Sequence, residues 1–258
     1  MTYLSRNLSD WKLLKESTEY YHDVLNPKFW EDTKDGNKLT TGIRKKLEAI
    51  AKEFYTKYDE IAKNVPIKDI QLTGSLANFS YTEFSDLDIH VLVDFDKIDA
   101  PKKVTKAAFD GIRFIWNLRH DIILRGHEVE LYVQDFDEAH TSTGLYSILN
   151  DEWVKEPINN PPDIRDEDVE QKYRSLATEI EKLESKLLGT ANAPSNAKEL
   201  YKLATKRKDK IMKMRKEALS KGGEFSVGNL AFKKLRNNGY IGKLIDLISK
   251  SYDRIYSE

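Results

Sequence analysis

The stretch Gln71–Phe95 reads QLTGSLANFSYTEFSDLDIHVLVDF and places two aspartates, Asp86 and Asp88, at the start of a long apolar run. The nearly continuous apolar run indicates a central strand rather than an edge strand. Side chains alternate between the two faces of a strand, so the two carboxylates share one face, roughly 6–7 Å apart along the strand. Two carboxylates held that close repel each other, and a divalent, oxygen-seeking cation such as Mg²⁺ relieves the repulsion.

A Gly-Ser pair, Gly74 and Ser75, follows the apolar segment that precedes these aspartates. Glycine permits a tight turn whose backbone N–H groups, with the serine hydroxyl, can hold an anion. A phosphate-binding turn next to paired metal carboxylates is typical of phosphoryl or nucleotidyl transfer. The alternative interpretation is an ordinary loop followed by a strand whose polar residues face water.

The spacing of these residues resembles the nucleotidyltransferase superfamily typified by DNA polymerase beta. The family pattern is an apolar residue before Gly-Gly or Gly-Ser, a short spacer, and then D-h-[DE]-h, where h is apolar. Leu72, with the Gly-Ser pair, and the segment DLDI at 86–89 match it, although Thr73 stands before the glycine. The family also has a third acid on a later strand, and Glu130 in HEVELYVQ fits that position. The resemblance covers residues 66–135.

The resemblance implies that Asp86 and Asp88 bind two Mg²⁺ or Mn²⁺ ions and that Glu130 completes the second metal site. Glu128 is the alternative third acid, because it lies two residues earlier on the same strand face. His90 shares the face of Asp88 and either borders the site or is a packed, hydrogen-bonded histidine. The other four histidines show no spacing suited to zinc.

The resemblance also implies a nucleoside triphosphate, with ATP expected, bound by Gly74 and Ser75. Asn78 is close enough in sequence to join that turn. Family members with appended helices often place basic side chains on the triphosphate. No motif match supports this here, and a hydrated helix surface is the alternative; the candidates by chemistry alone are Lys233, Lys234 and Arg236.

Composition excludes several classes of protein. The 258 residues include no cysteine, which excludes disulfide scaffolds, thiolate zinc sites and a cysteine nucleophile. No apolar run approaches the roughly 18 residues that span a bilayer, and the first residues lack the apolar region of a signal peptide. We expect no membrane association and a cytoplasmic location. The sequence also lacks the glycine motifs of Walker ATPases, Rossmann dehydrogenases and esterases.

The charge is distributed unevenly along the chain. Residues 1–195 carry 26 Lys and Arg against 36 Asp and Glu, whereas residues 196–250 carry 15 against 5. The basic part favours an anionic partner such as RNA or a triphosphate. The alternatives are docking on the acidic part of the same chain and a hydrated, lysine-rich helix surface. The basic residues suited to an RNA backbone are Lys206, Arg207, Lys208, Lys210, Lys213, Arg215 and Lys216, and the test of this prediction replaces Lys206, Lys208, Lys210 and Lys213.

The predicted fold class is α+β, with a small mixed β-sheet nucleotidyltransferase core, N-terminal helices before it and an all-helical C-terminal domain after it. The expected regions are 1–65, 66–158 and 159–258. The predicted strands are 67–72, 86–95 and 128–134, and the predicted helices are 7–21, 40–63, 101–120, 166–188, 197–220 and one or two within 227–256. In the helix 101–120, the residues expected to face the core are Val104, Ala108, Ile112, Ile115 and Trp116.

These observations predict a metal-dependent nucleotidyltransferase that moves a nucleoside monophosphate from a triphosphate to an acceptor hydroxyl and releases pyrophosphate. The basic C-terminal helices favour an RNA or tRNA acceptor. The resemblance also implies alternative acceptors: a small molecule such as an aminoglycoside, a protein hydroxyl and a second nucleotide. A non-catalytic nucleotide-binding module and a toxin–antitoxin component are the alternative functions.

Overall fold

The computed structural model describes residues 21–57, 65–140, 142–160, 164–189 and 194–257. These residues divide into two compact units, a sheet unit up to residue 160 and a helical unit from residue 164. The helix predicted from residue 7 lies outside the described residues, apart from its last residue. The end of the helix predicted over 40–63 also lies outside them.

The sheet unit contains a two-stranded hairpin and a six-stranded mixed sheet, and the predicted α+β fold class is confirmed. The hairpin joins β1 (Trp30–Thr33) to β2 (Gly36–Leu39). The order of the large sheet is β5-β6-β4-β3-β7-β8, in which β4 and β6 are parallel and the other neighbours antiparallel. Its strands are β3 (Ile67–Thr73), β4 (Leu87–Val93), β5 (Ile123–Leu124), β6 (His127–Asp135), β7 (Leu145–Ser147) and β8 (Glu152–Lys155).

Strand β4 lies at the centre of the sheet, as its apolar sequence predicts. Leu87, Ile89 and Val91 are fully buried. The strand is shorter than predicted at both ends: Asp86 precedes it, and Phe95 begins a short 3₁₀ turn. The strand ends there because the Asp94 side chain accepts a hydrogen bond from Asp96 N–H, which caps the turn.

Two helices complete the described part of the sheet unit, α1 (Thr41–Thr56) and α2 (Lys102–Arg119). The prediction of which α2 residues pack on the core is confirmed for Trp116 and was wrong for Val104 and Ile115. Thr105, Phe109 and Trp116 are buried, whereas Val104 and Ile115 are 57% and 45% exposed; the other predicted positions, Ala108 and Ile112, are half-buried. The helix carries two apolar stripes, and the one with the larger aromatic rings packs inward, where it contacts rings of α1 and of the 3₁₀ turn.

The hairpin and strands β7 and β8 were absent from the sequence prediction. The Asp35-Gly36 pair is a known hairpin signal, and Gly36 has φ of +94°. The flanking residues Glu31 and Lys38 are polar, so the alternation that marks a strand is weak there. Short strands in polar surroundings are therefore the part of this sheet that sequence patterns do not reveal.

The helical unit contains four helices, α3 (Asp166–Gly189), α4 (Pro194–Gly222), α5 (Val227–Asn237) and α6 (Tyr240–Tyr256). Helix α4 ends at Gly222, and the next residue, Gly223, has φ of +66°, the left-handed conformation that commonly terminates a helix. No helix in the described part of the chain is long and apolar enough to cross a membrane. The helices pack around an apolar core that includes Ile180, Leu200, Ala204, Ile211, Leu235 and Leu244.

Candidate active site

The Gly-Ser turn lies against one of the two predicted aspartates. Gly74 directly follows β3, and the last residue of β3, Thr73, pairs with Asp88 of β4. Gly74 has φ of +76°, and a Cβ atom built on it would lie 2.0 Å from Asp88 Oδ2. Glycine is required for two reasons: the backbone conformation is left-handed, and the Asp88 carboxylate occupies the space of a side chain.

Strands β4 and β6 bring a second carboxylate beside the first. Their parallel register pairs Asp88 with Glu130, and neighbouring strands are about 4.8 Å apart. Burial alternates along both strands, and Asp88 and Glu130 both occupy half-buried positions between buried ones. Asp86 continues the half-buried row before β4, and Glu128 does so on β6. The structure therefore places all four predicted acids along one partly exposed face, with Glu130 directly opposite Asp88.

Tyr132, which the sequence prediction missed, is hydrogen-bonded to Glu130, the predicted third acid. Its hydroxyl donates a hydrogen bond to Glu130 Oε2. Its ring stacks on His90 at 4.8 Å, and the Arg113 guanidinium lies 4.6 Å from the ring centroid. Burial, followed by the carboxylates of Glu130 and Asp88, raises the pKa of Tyr132, so the hydroxyl stays protonated and remains a donor. Its position two residues after Glu130 is the signal that could have identified it.

His90 is a packed, hydrogen-bonded side chain in this structure. Its Nδ1 lies 2.6 Å from Gln134 Oε1, an acceptor, so Nδ1 carries the proton in this pair. The His140 ring meets the His90 ring edge-on at 4.9 Å. Burial lowers the pKa of His90 to about 4, so the imidazole is neutral near pH 7. The geometry matches the structural alternative given for this histidine.

Hydrogen bonds tie the Gly-Ser turn to the segment that precedes Asp86. Ser75 Oγ lies 2.7 Å from Ser85 Oγ, and the Ser85 hydroxyl accepts a hydrogen bond from Thr82 N–H. The buried His127 lies with Nδ1 2.6 Å from the Ser85 carbonyl oxygen, to which it donates. Burial lowers the pKa of His127, which favours the neutral ring in this role. These contacts fix the spacing between the turn and the carboxylate row.

The hairpin supports the same turn from another direction. The indole N–H of Trp30 donates to the Leu76 carbonyl at 2.7 Å. The Trp30 ring stacks on Trp153 of β8 at 4.6 Å and meets Tyr146 of β7 edge-on at 5.0 Å. The hairpin and strands β7 and β8, which the sequence did not predict, therefore position the Gly-Ser turn, which it did predict.

The Asn78 side chain makes hydrogen bonds that hold the segment next to the Gly-Ser turn in place. Its side-chain N–H₂ donates to Thr143 Oγ1, and its Oδ1 accepts from Phe79 N–H. The neighbouring Gly144 approaches so closely that a Cβ atom on it would lie 1.9 Å from the Ala77 carbonyl oxygen. A nucleotide contact for Asn78 stays a prediction.

The carboxylates of this row suit a hard cation that keeps some of its bound water. Within the described ranges, no cluster of three or more His, Asp or Glu side chains forms a ready metal site. Asp88 and Glu130 face each other as oxygen donors, with Asp86 next in the row. Mg²⁺ is commonly bound through one or two carboxylates, substrate phosphates and water rather than by a complete protein cage, and this arrangement fits that mode.

The basic candidates lie in the helical unit, on α5. The Lys234 ammonium pairs with the Glu170 carboxylate and lies 5.1 Å from the Tyr173 ring centroid. The Lys234 hydrogen bond lowers the pKa of Glu170, which keeps this ion pair charged. Lys233 is half-buried and Arg236 is exposed. Contact of these three residues with a triphosphate stays a prediction.

Comparison with known proteins gives little guidance. No protein-family model matches the sequence, and no curated protein matches it. Among solved structures, a STING-associated CdnE c-di-GMP synthase from Capnocytophaga granulosa aligns with 12% sequence identity, over 86% of this chain and 84% of that chain, at a TM-score of 0.21. A TM-score this low carries no argument about fold or activity, so a functional assignment rests on the chain's own residues.

Proposed function

We propose that this chain is a metal-dependent nucleotidyltransferase that transfers a nucleoside monophosphate from a triphosphate to an acceptor hydroxyl. One observation carries the proposal: the Asp88 carboxylate rests against Gly74, at the start of the Gly-Ser turn, and faces Glu130 across two parallel strands. A turn suited to phosphate and a row of carboxylates suited to a cation thus meet at one edge of the site.

In this proposal each residue has a distinct task. Asp86, Asp88 and Glu130 would hold Mg²⁺ or Mn²⁺, which when bound supplies electrostatic stabilisation of the displaced and attacking oxygens. Gly74 and Ser75 would orient the triphosphate through backbone N–H groups and the serine hydroxyl. The contacts through Ser85 and Trp30 keep the turn fixed, so little reorganisation is needed when the nucleotide binds.

The proposed acceptor is the 3′ hydroxyl of an RNA. The support is the excess of basic residues in 196–250 together with the exposure of Lys206, Lys210 and Lys213 on α4; Lys208 is half-buried. Exposed lysines along one helix can follow a phosphate backbone. If they do, binding of a single-stranded RNA should weaken with salt, with a log–log slope of roughly −0.7 per neutralised phosphate. Replacing the four lysines by glutamine should flatten that slope, and salt-insensitive binding would favour a small-molecule or protein acceptor.

The activity is tested by following two labels. The protein is incubated with Mg²⁺, candidate acceptors and each triphosphate, labelled either at the α or at the γ phosphate. Nucleotidyl transfer places the α label on the acceptor and releases the γ label as pyrophosphate, and removal of the metal with a chelator should stop both. Transfer of the γ label instead would show a kinase reaction and overturn the proposal. The location of the α label on RNA, protein or a small product identifies the acceptor.

A further inference from the structure

One hydrogen bond at the carboxylate row involves a single, identified oxygen of Glu130. The Tyr132 hydroxyl donates to Oε2. Tyr132 itself has two ring contacts, the His90 ring stacked at 4.8 Å and the Arg113 guanidinium 4.6 Å from its centroid. The hydroxyl is therefore a positioned donor rather than a group free to rotate away from the carboxylate.

The number of oxygens through which a carboxylate binds a metal affects which cation it prefers. An oxygen that accepts a hydrogen bond donates less well to a metal, so such a carboxylate coordinates preferentially through its other oxygen, as a monodentate ligand. Mg²⁺ requires near-octahedral geometry at about 2.0–2.1 Å, whereas Ca²⁺ takes 6–8 oxygens and readily accepts bidentate carboxylates. A donor that disfavours bidentate binding therefore favours the smaller cation.

We propose that Tyr132 is a positioning residue that sets the metal preference of this site, by holding Glu130 as a monodentate ligand suited to Mg²⁺ or Mn²⁺ and unsuited to Ca²⁺. The inference rests on the proposed function, because it requires a cation at Asp88 and Glu130. It assigns Tyr132 no contact with substrate or with the reacting atoms.

The variant Tyr132→Phe removes the hydroxyl and retains the ring that contacts His90 and Arg113. A matched control exists in the helical unit, where the Tyr240 hydroxyl donates to Glu181 Oε1 at 2.6 Å. Tyr240→Phe removes the same kind of tyrosine–carboxylate hydrogen bond away from the proposed metal site. Thermal melts of both variants check that the sheet unit stays folded.

The measurement is binding of the metal ion alone, without turnover. Mn²⁺ binding is followed by electron paramagnetic resonance, and Mg²⁺ and Ca²⁺ are added as competitors to wild type, Tyr132→Phe, Tyr240→Phe and Asp88→Ala. Loss of a residue that orients a metal ligand typically weakens affinity by about 10- to 100-fold. We expect Tyr132→Phe to lose about 10-fold in Mn²⁺ and Mg²⁺ affinity and to keep or gain Ca²⁺ affinity, while Tyr240→Phe matches wild type.

The outcomes separate this inference from the proposed function. An unchanged ratio of Ca²⁺ to Mg²⁺ affinity in Tyr132→Phe, with Mn²⁺ binding that still depends on Asp88, overturns the role of Tyr132 and leaves the metal site standing. Mn²⁺ binding that is absent in wild type, or unaffected by Asp88→Ala, overturns both. A shift of the ratio toward Ca²⁺ in Tyr132→Phe alone supports the inference.

Discussion

Carboxylates lie at both ends of the parallel strands β4 and β6, but their contacts differ between the two ends. At the C-terminal end, Asp135 accepts hydrogen bonds from the Lys102 ammonium at 2.7 Å and from Phe95 N–H at 3.2 Å. At the N-terminal end, Asp88 lies against Gly74, and Glu130 accepts a hydrogen bond from Tyr132. Acidic residues thus make stabilising contacts at one end of the strands and form the candidate site at the other.

The surroundings of each carboxylate explain the difference. Burial alone would raise the pKa of Asp135, but the Lys102 ammonium and backbone N–H groups outweigh burial and hold that pKa below its usual range. A carboxylate stabilised in this way contributes to folding. The carboxylates at the other end lie side by side in a half-buried row, where we expect their mutual repulsion to be relieved by a bound cation. Substitutions at the two ends should therefore separate activity from stability.

The largest expected effect is at the N-terminal end. Asp86→Ala and Asp88→Ala should each lower nucleotidyl transfer about 1,000-fold or more, because losing a metal ligand removes several kcal/mol of transition-state stabilisation. The melting temperature should stay level or rise as carboxylate repulsion is relieved. The control is Asp94→Ala, just beyond the other end of β4, which should keep activity. Wild-type activity in either site variant would end the enzyme assignment.

Gly74→Ala tests the contact between the turn and Asp88. The methyl group would clash with Asp88 Oδ2, only 2.0 Å away, and the left-handed backbone costs about 1–3 kcal/mol for a residue with a side chain. We expect both a lower free energy of unfolding, measured in urea, and a loss of activity of about 100-fold from the displaced carboxylate.

The matched control for that substitution is Gly111→Ala in α2, where an added Cβ meets nothing within 4 Å. Alanine has the higher helix propensity, so this variant should gain up to about 1 kcal/mol in stability and keep its activity. Equal behaviour of the two glycine variants would show that the Gly74 contact has no functional role.

The two glutamates of β6 give a finer comparison at the same end. Glu130 is in register with Asp88, so Glu130→Gln should lower transfer by about 10- to 100-fold, whereas Glu128→Gln should have a much smaller effect. Steady-state kinetics at saturating Mg²⁺ measures both. The reverse ranking would assign the third metal ligand to Glu128, and equally small effects would favour a nucleotide-binding module without catalysis.

The smallest effect is expected at the C-terminal end. Because the pKa of Asp135 is lowered in the folded protein, its contribution is present above the usual carboxyl pKa and is lost as the pH falls below that value. Asp135→Asn should therefore cost about 1 kcal/mol near pH 7, discounted for the exposure of Lys102, and the cost should shrink in acid. Urea unfolding over a pH series checks this, with Asp96→Asn, the more exposed partner of Lys102, as the control. Loss of activity without loss of stability in Asp135→Asn would contradict the division between the two ends.

The strongest patterns in the sequence predicted the central strands of the sheet but not the short strands at its margins. The apolar runs around Asp88 and Glu130 predicted β4 and β6, because a buried strand cannot tolerate polar residues on its core face. The hairpin at Trp30 and the strands near Tyr146 and Trp153 were missed, because short strands with polar neighbours have little periodicity. In α2, two apolar stripes made the inward face ambiguous from the sequence.

The sequence by itself determined which residue types stand at the turn and in the carboxylate row, since alternation along a strand follows from backbone geometry alone. Only the tertiary structure decided that Asp88 occupies the space beside Gly74 and that Glu130 is in register with Asp88. It also decided that Tyr132 holds one oxygen of that glutamate. Register and contact depend on which strands pair, and strand pairing depends on packing across distant parts of the chain rather than on local sequence.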